Sequence, residues 1–543
     1  MNKYSLQILF SILIVNGILL SFSLIGPEFS VPNPFSDEAL VISFPDIKES
    51  LFKSAEQKNE NAENFLSKYE SSDGNVTPDA QPASKEDEQN GFLINPERDG
   101  KKALDDFFNS LNKESKNKIV RVAHYGDSQI EGDRITSYLR ENFQKEFGGE
   151  GIGYAPLDDI TDNVNYFRST SENWERFNVF NNAYSSGKYA LSGLVFKYGN
   201  GKSKKENDDA EPKGKKDKKK KTKEKKQAEE PKEEQLVDSS TVLNKYGGSV
   251  AFLADSYFAF KNVLIPSTRD KTEVVAALRG RVTLNFVKDA SFRKIKIFYG
   301  RVGDDCEVRL SDQKTGMEIS TVQLNEDSPF GMASVDYKGS GSTIRFDISS
   351  GRNPEIYGFF FDGDKGVQVD NFAIRGHSGD GLLKIDKDFL STQYEDLNVK
   401  LIILQFGMNI MPTIHKEKDL KRVRDYYNRL YAGIRERAKN ASVLVVGPGD
   451  MGVIRRGSSV SHPFIGEVVK IMKECALENG CAFWNTYELM GGENSISAWA
   501  QKGYAARDGH FINKGQKIIA AELFKGINDA YKQYLDRNNS NNR

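Results

Sequence analysis

Beyond about residue 370 the chain alternates between short runs that are apolar almost throughout and longer amphipathic ones. NVKLIILQFG precedes the helical pattern DLKRVRDYYNRLYAGIRERAKN. SVLVVGPGD precedes GEVVKIMKECALENG, and CAFWNTYEL precedes KGQKIIAAELFKGINDAYKQYL. A strand without a polar face must be buried on both faces. Strand–helix alternation with such strands predicts a parallel sheet covered by helices on either side. One more strand of this kind, Ile119-Val120-Arg121-Val122-Ala123, stands far upstream. It follows a segment with helical spacing at Leu104, Phe107, Phe108 and Leu111, and precedes an amphipathic helix from about Ile135 to Phe147. The α/β layer is therefore expected to be split, beginning near 101, pausing, and resuming near 370.

The pause has a different period. From about 165 to 370, YALSGLVFKY, SVAFLADSYFAF, VAALRGRVTLNFV, KIKIFYG, EVRLSD, TIRFDIS and IYGFFFDG are short alternating or β-branched and aromatic runs separated by turn residues. They predict an antiparallel β-sandwich. A lysine-rich stretch at 201–235, including KGKKDKKKKTKEKK, is expected to be a disordered loop within it. Tyr299 and Phe359-Phe360-Phe361 carry aromatic rings that can stack on sugars, although at strand spacing such residues usually form core.

Charge narrows the partners. Lys and Arg number 76 against 77 Asp and Glu, a net charge of −1, which gives no general case for nucleic acid. The three cysteines, Cys306, Cys475 and Cys481, have neither metal spacing nor the even count of a disulfide framework, and read as semi-buried thiols. No metal site or cofactor is expected. At the N-terminus a single lysine precedes an apolar core from Ile8 to Ile25, about 18 residues, just enough to span a bilayer. Residues 1–28 are expected to be an uncleaved signal-anchor or a cleaved signal peptide. Either places the rest outside the cytoplasm, and an uncleaved anchor would attach it to the inner membrane. The polar stretch 29–100 is read as a disordered tether, and 536–543 as a disordered tail.

In a parallel sheet, ligands bind beyond the carboxyl ends of the strands. Four segments expected there carry useful polar residues: Gly126-Asp127-Ser128, Gly376-His377-Ser378-Gly379-Asp380, Phe406-Gly407-Met408-Asn409, and Arg507-Asp508-Gly509-His510. A serine needs a base to act as a nucleophile. His510 is the candidate, with Asp508 to orient it or a main-chain carbonyl in its place. An acyl-transfer oxyanion needs donors. The Ser128 amide, placed at a helix N-terminus, the Gly379 amide and the Asn409 side chain are the candidates. Asp127 is expected to shape its turn, and His124 and His377 to lie beside the site without a direct role.

These four blocks, in this order, resemble the SGNH (GDSL-type) hydrolases, whose letters would fall on Ser128, Gly379, Asn409 and His510. The resemblance covers about 100–165 and 370–535. It implies a flavodoxin-like three-layer α/β/α domain, in parts 101–165 and 371–535, interrupted by the sandwich at 166–370, and an esterase, lipase or acetyl-transfer activity. Two departures stand out. Asp508 and His510 are one residue closer than the family's Asp-x-x-His, and Ile410 follows Asn409 where the family has Asp. The arrangement is similar to that of bacterial peptidoglycan and carbohydrate O-acetylesterases. It implies an extracytoplasmic serine esterase acting on an acetylated glycan or peptidoglycan. An O-acetyltransferase using the same residues, or an inactive glycan-binding envelope protein, stays open.

Overall fold

The computed structural model describes residues 28–31, 40–43, 59–69, 91–198, 278–287, 291–303, 305–325, 330–339, 343–455 and 458–541. The N-terminal apolar segment, the lysine-rich stretch 201–235 and the expected strand SVAFLADSYFAF lie outside them. Among the described residues no helix is long and apolar enough to cross a membrane.

The parallel sheet forms as the alternation requires. Its strands are β1 (Leu93–Ile94), β2 (Ile119–Gly126), β3 (Gly366–Ala373), β4 (Val399–Gln405), β5 (Ser442–Val446) and β6 (Ala482–Trp484), in the order β3-β2-β4-β5-β6-β1. All neighbours are parallel except β1, which runs antiparallel to β6. Successive side chains go to opposite faces. Val120, Val122, Leu401, Ile403, Leu444 and Val446 pack under α1 (Asp105–Lys113), α2 (Arg134–Phe147) and α6 (Asn513–Asn541). Ala123, Tyr125, Ile402, Leu404, Val443 and Val445 pack under α3 (Lys387–Asp396), α4 (Asp419–Arg437) and α5 (Ile465–Glu478). The result is a three-layer α/β/α arrangement with β2 in its interior.

Two antiparallel sheets accompany it. One has the order Gly331–Asp336, Lys294–Tyr299, Ile356–Asp362, Leu194–Tyr198, Trp174–Asn178, with Gly153–Ala155 also on Ile356–Asp362. The other has Glu318–Gln323, Glu307–Asp312, Thr343–Ser350, Leu278–Phe286, Tyr166–Thr170. Phe346 of the second sheet stacks on Phe359 of the first at 3.9 Å, and Phe286 meets Phe361 at 5.2 Å. Tyr299 and the Phe359–Phe361 run are buried. They are core, as strand spacing favours, and offer no face to a sugar.

The first antiparallel sheet is locked to the parallel one by a buried ion cluster. Arg121 of β2 pairs with Asp370 of β3 at 2.8 Å and with Asp362 of the antiparallel sheet at 2.6 Å, and Lys296 adds a contact to Asp362 at 2.9 Å. Burial alone would raise the Asp362 pKa. Arg121 and Lys296 outweigh it and hold that carboxyl below its usual range. The guanidinium also lies 4.7 Å over the Phe360 ring.

Several segments depart from expectation. Within the stretch read as a tether, Glu60–Ser67 is a helix that buries Ala62 and Leu66, with Phe65 stacked on Trp499 at 6.0 Å. Asn59 caps it by accepting from the Ala62 N–H at 2.8 Å and donates to the Gly491 carbonyl at 2.9 Å. Strand β1 belongs to the same stretch, and Glu28–Val31 pairs with Leu40–Ser43. CAFWNTYEL is a strand only over Ala482–Trp484, because Asn485 accepts from the Glu488 N–H at 3.2 Å and starts the helix Thr486–Met490. The edge expected at 370 falls inside β3, and α6 runs to Asn541, past the edge expected at 535.

Candidate active site

β2 ends at Gly126, where a side chain would not fit. A Cβ there would come within 2.8 Å of Ile130 and 2.9 Å of the Gln405 carbonyl. The chain then turns through Asp127 and Ser128, with the Ile130 N–H donating to the Asp127 carbonyl at 3.3 Å. The helix expected from about Ile135 begins at Arg134, so Ser128 does not stand at its N-terminus. A 3₁₀ turn, Glu131–Asp133, intervenes with Gly132 and Asp133 at positive φ. The helix N-terminus therefore does not supply the Ser128 amide with its field.

At the far end of the chain, the loop before α6 brings His510 to Ser128. Ser128 Oγ and His510 Nε2 are 2.9 Å apart, and His510 Nδ1 is 3.0 Å from Asp508 Oδ2. The other Asp508 oxygen accepts the His510 main-chain N–H at 3.1 Å. This folding-back is how the shorter Asp-Gly-His spacing still reaches the imidazole. Asp508 and His510 keep 60% and 43% side-chain exposure, so the pair sits at an open rim.

No sequence pattern marks the clamp beside the serine. Gln129 is buried. Its Nε2 donates to the Gly509 carbonyl at 3.1 Å, and its Oε1 accepts the Phe511 N–H at 3.2 Å. One side chain next to Ser128 thus grips the main chain on both sides of His510.

Gly379 has φ +107, and a Cβ there would lie 2.8 Å from Leu430. Glycine meets both demands. The turn is braced by Tyr426, whose hydroxyl donates to the Ser378 carbonyl at 2.8 Å and accepts the Asp380 N–H at 3.2 Å. His377 Nε2 accepts the Gly381 N–H at 2.9 Å. Burial lowers the pKa of His377 to about 4, and that of His124 likewise, so both rings are neutral scaffolding. Among the described residues, no hydrogen-bond partner is seen for the amides of Ser128 and Gly379. Asn409 is more committed: its Nδ2 donates to Asp127 Oδ2 at 3.0 Å and to the His377 carbonyl at 3.2 Å. An amide nitrogen has two protons, so a third acceptor must share one, and the longer bond to His377 is the one to yield. Asp127 is fully buried and accepts the Gln129 N–H at 3.0 Å; burial pushes its carboxyl up to about 6.

The arrangement holds the nucleophile and base of an acyl-transfer site: a hydroxyl bonded to an imidazole, and a carboxylate behind it. No cluster of three or more metal-ligating side chains occurs among the described residues.

Residues 339–518 match the family model of the GDSL-like lipase/acylhydrolase family. This stretch of the chain carries a GDSL-like lipase/acylhydrolase domain. The matched range holds Gly379, Asn409, Asp508 and His510. Ser128 lies outside it, and meets His510 of the matched range at 2.9 Å. Among solved structures, the chain is similar to that of a peptidoglycan O-acetylesterase in action, at 17% identity and a TM-score of 0.54. That match covers 82% of this chain and 100% of the other. A GDSL-like lipase from Bacteroides thetaiotaomicron VPI-5482 matches at 18% identity and a TM-score of 0.22, covering 31% and 76%. Axe2, an acetylxylan esterase from Geobacillus stearothermophilus, matches at 15% and 0.22, covering 30% and 73%. The first shows that the α/β/α layer and the antiparallel sheets occur together in another fold of this kind. No curated protein sequence matches the chain.

Proposed function

We propose that this SGNH hydrolase is an extracytoplasmic serine esterase that removes O-acetyl groups from a cell-wall or other polysaccharide through an acyl-enzyme. Ser128 Oγ attacks the ester carbonyl as His510 Nε2 takes its proton, and Asp508 stabilises the imidazolium. The amides of Ser128 and Gly379, with Asn409, bind the oxyanion. His510 then protonates the leaving sugar hydroxyl, and a water activated by the same ring releases acetate.

The observation that carries this reading is the continuous line from Ser128 Oγ through His510 to Asp508, with contacts of 2.9 Å and 3.0 Å. The short Asp-Gly-His spacing, which in sequence left room for an inactive binding protein, is no obstacle to that contact. The likeness to a solved peptidoglycan O-acetylesterase supports a glycan substrate. That substrate and the apolar segment Ile8–Ile25 both support a location outside the cytoplasm, in the cell envelope, whether the segment anchors the chain in the inner membrane or is removed.

The test is acetate release by the full chain from an aryl acetate and from O-acetylated peptidoglycan. Ser128→Ala and His510→Ala are each expected to lower it by about 10³-fold or more. Equal release by all three proteins would overturn the esterase mechanism. Turnover of aryl acetate alone would overturn the glycan substrate, and transfer of acetyl to a sugar hydroxyl would assign an acetyltransferase.

A further inference from the structure

We infer that Phe180, held out by the antiparallel sheet at the edge of the active site, is a specificity residue on which a sugar ring of the substrate stacks. This rests on the glycan-ester reading above and adds a named subsite to it. Phe180 is 44% exposed, and it and Phe167 are the only exposed phenylalanines among the described residues.

Its exposure is built. Asn178 Oδ1 accepts the N–H groups of Phe180 at 2.8 Å and Asn181 at 2.9 Å, while Asn178 Nδ2 donates to Asn181 Oδ1 at 2.6 Å. Asn182 closes the loop by donating to the Arg176 carbonyl at 2.7 Å. Lys384 ties it to the neighbouring loop by donating to the Val179 carbonyl at 3.1 Å. A mobile loop would let the ring fold against the protein and hide its apolar surface. This one fixes it in solvent.

Its position is specific. The ring lies 5.8 Å from that of His377 and fits over Gly376, where a Cβ would be 3.3 Å away. His377 passes its carbonyl to Asn409, Asn409 bonds Asp127, and Ser128 follows. Two residues beyond His377 is the Gly379 amide. An exposed aromatic ring beside His377, whose carbonyl Asn409 holds, suits the apolar C–H face of a pyranose whose acetyl ester is in the site. Asn181, exposed beside it, brings an amide to the same edge.

The test compares kcat/KM for O-acetylated peptidoglycan with kcat/KM for aryl acetate in wild type, Phe180→Ala and Phe180→Trp. The ratio is expected to fall about tenfold in Phe180→Ala, mainly through KM, and to recover in Phe180→Trp. An unchanged ratio in Phe180→Ala overturns the inference while leaving the glycan-ester reading standing. A fall that Phe180→Trp does not recover, or an equal fall on both substrates, assigns Phe180 to supporting His377 and also overturns it. Wild-type protein that releases no acetate from the glycan overturns both.

Discussion

Replacing Gln129 by alanine removes the clamp on the histidine loop. The side chain is buried and holds the Gly509 carbonyl and the Phe511 N–H, the groups flanking His510. Its loss leaves two buried groups unpaired, at about 1–3 kcal/mol each where water does not reach them. A destabilisation of about 2–6 kcal/mol is expected. Activity should suffer as well. The clamp holds His510 Nε2 at 2.9 Å from Ser128 Oγ, and a misplacement of about 1 Å at a reacting group costs about 100-fold. Urea unfolding and kcat/KM for aryl acetate, measured on the same preparation below the unfolding transition, separate the two effects. Gln129→Glu is the second variant. It keeps the volume, but as a carboxylate it offers an acceptor to the Gly509 carbonyl, so its deficit should shrink at mildly acidic pH. Folded Gln129→Ala with kcat/KM within about threefold of wild type would refute the reasoning.

Three further outcomes are expected. Burial raises the Asp127 pKa from 3.8 to about 6, so the folded state favours its neutral form; that contribution is full below about pH 4 and is lost by about pH 6, a fall of about 3 kcal/mol. Asp127→Asn should flatten this part of the stability–pH curve, and an unchanged curve counts against a buried acid there. Asp508→Ala should cost about 10²-fold in kcat rather than the ~10⁴-fold of an enclosed triad aspartate, because the carboxylate is 60% exposed and water can partly replace it; a loss below about fivefold would remove Asp508 from the relay. Arg121→Met should destabilise by about 3–5 kcal/mol by stranding Asp370 and leaving Asp362 with Lys296 alone, and adding Asp370→Asn should recover most of it; thermal melts of the single and double variants that coincide would contradict the cluster's role.

Strands β2, β4, β5 and β6 were legible because they are apolar at most positions; β3, with Gln368, Asp370 and Asn371, and the two-residue β1 show no such pattern. The contact of Ser128 with His510 was legible because each lies in a loop beyond an element of the same sheet layer. What escaped has a common physical character. The helix Glu60–Ser67 is too short to show its period within a polar stretch, and it is held by contacts to Gly491 and Trp499 that no local pattern reveals. Asn485 turns a strand into a helix with one cap. Gln129 looks like any polar residue until the loop from the far end of the chain lies against it. The commitment of Asn409 to Asp127 and His377 is likewise a matter of angles and distances, not of residue type.

The place of β2 inside its sheet has a consequence for assembly. Arg121 and its partner Asp370 are 249 positions apart, and β4, the strand on the other side, comes later still. A nascent chain that has emitted β2 holds an apolar strand with both edges bare until the whole antiparallel section has been synthesised, a circumstance that invites pairing with other chains. Maturation of the hydrolase should accordingly be slow and late, and the sandwich, complete before either neighbour of β2 is available, is placed to fold first and present β3 to it.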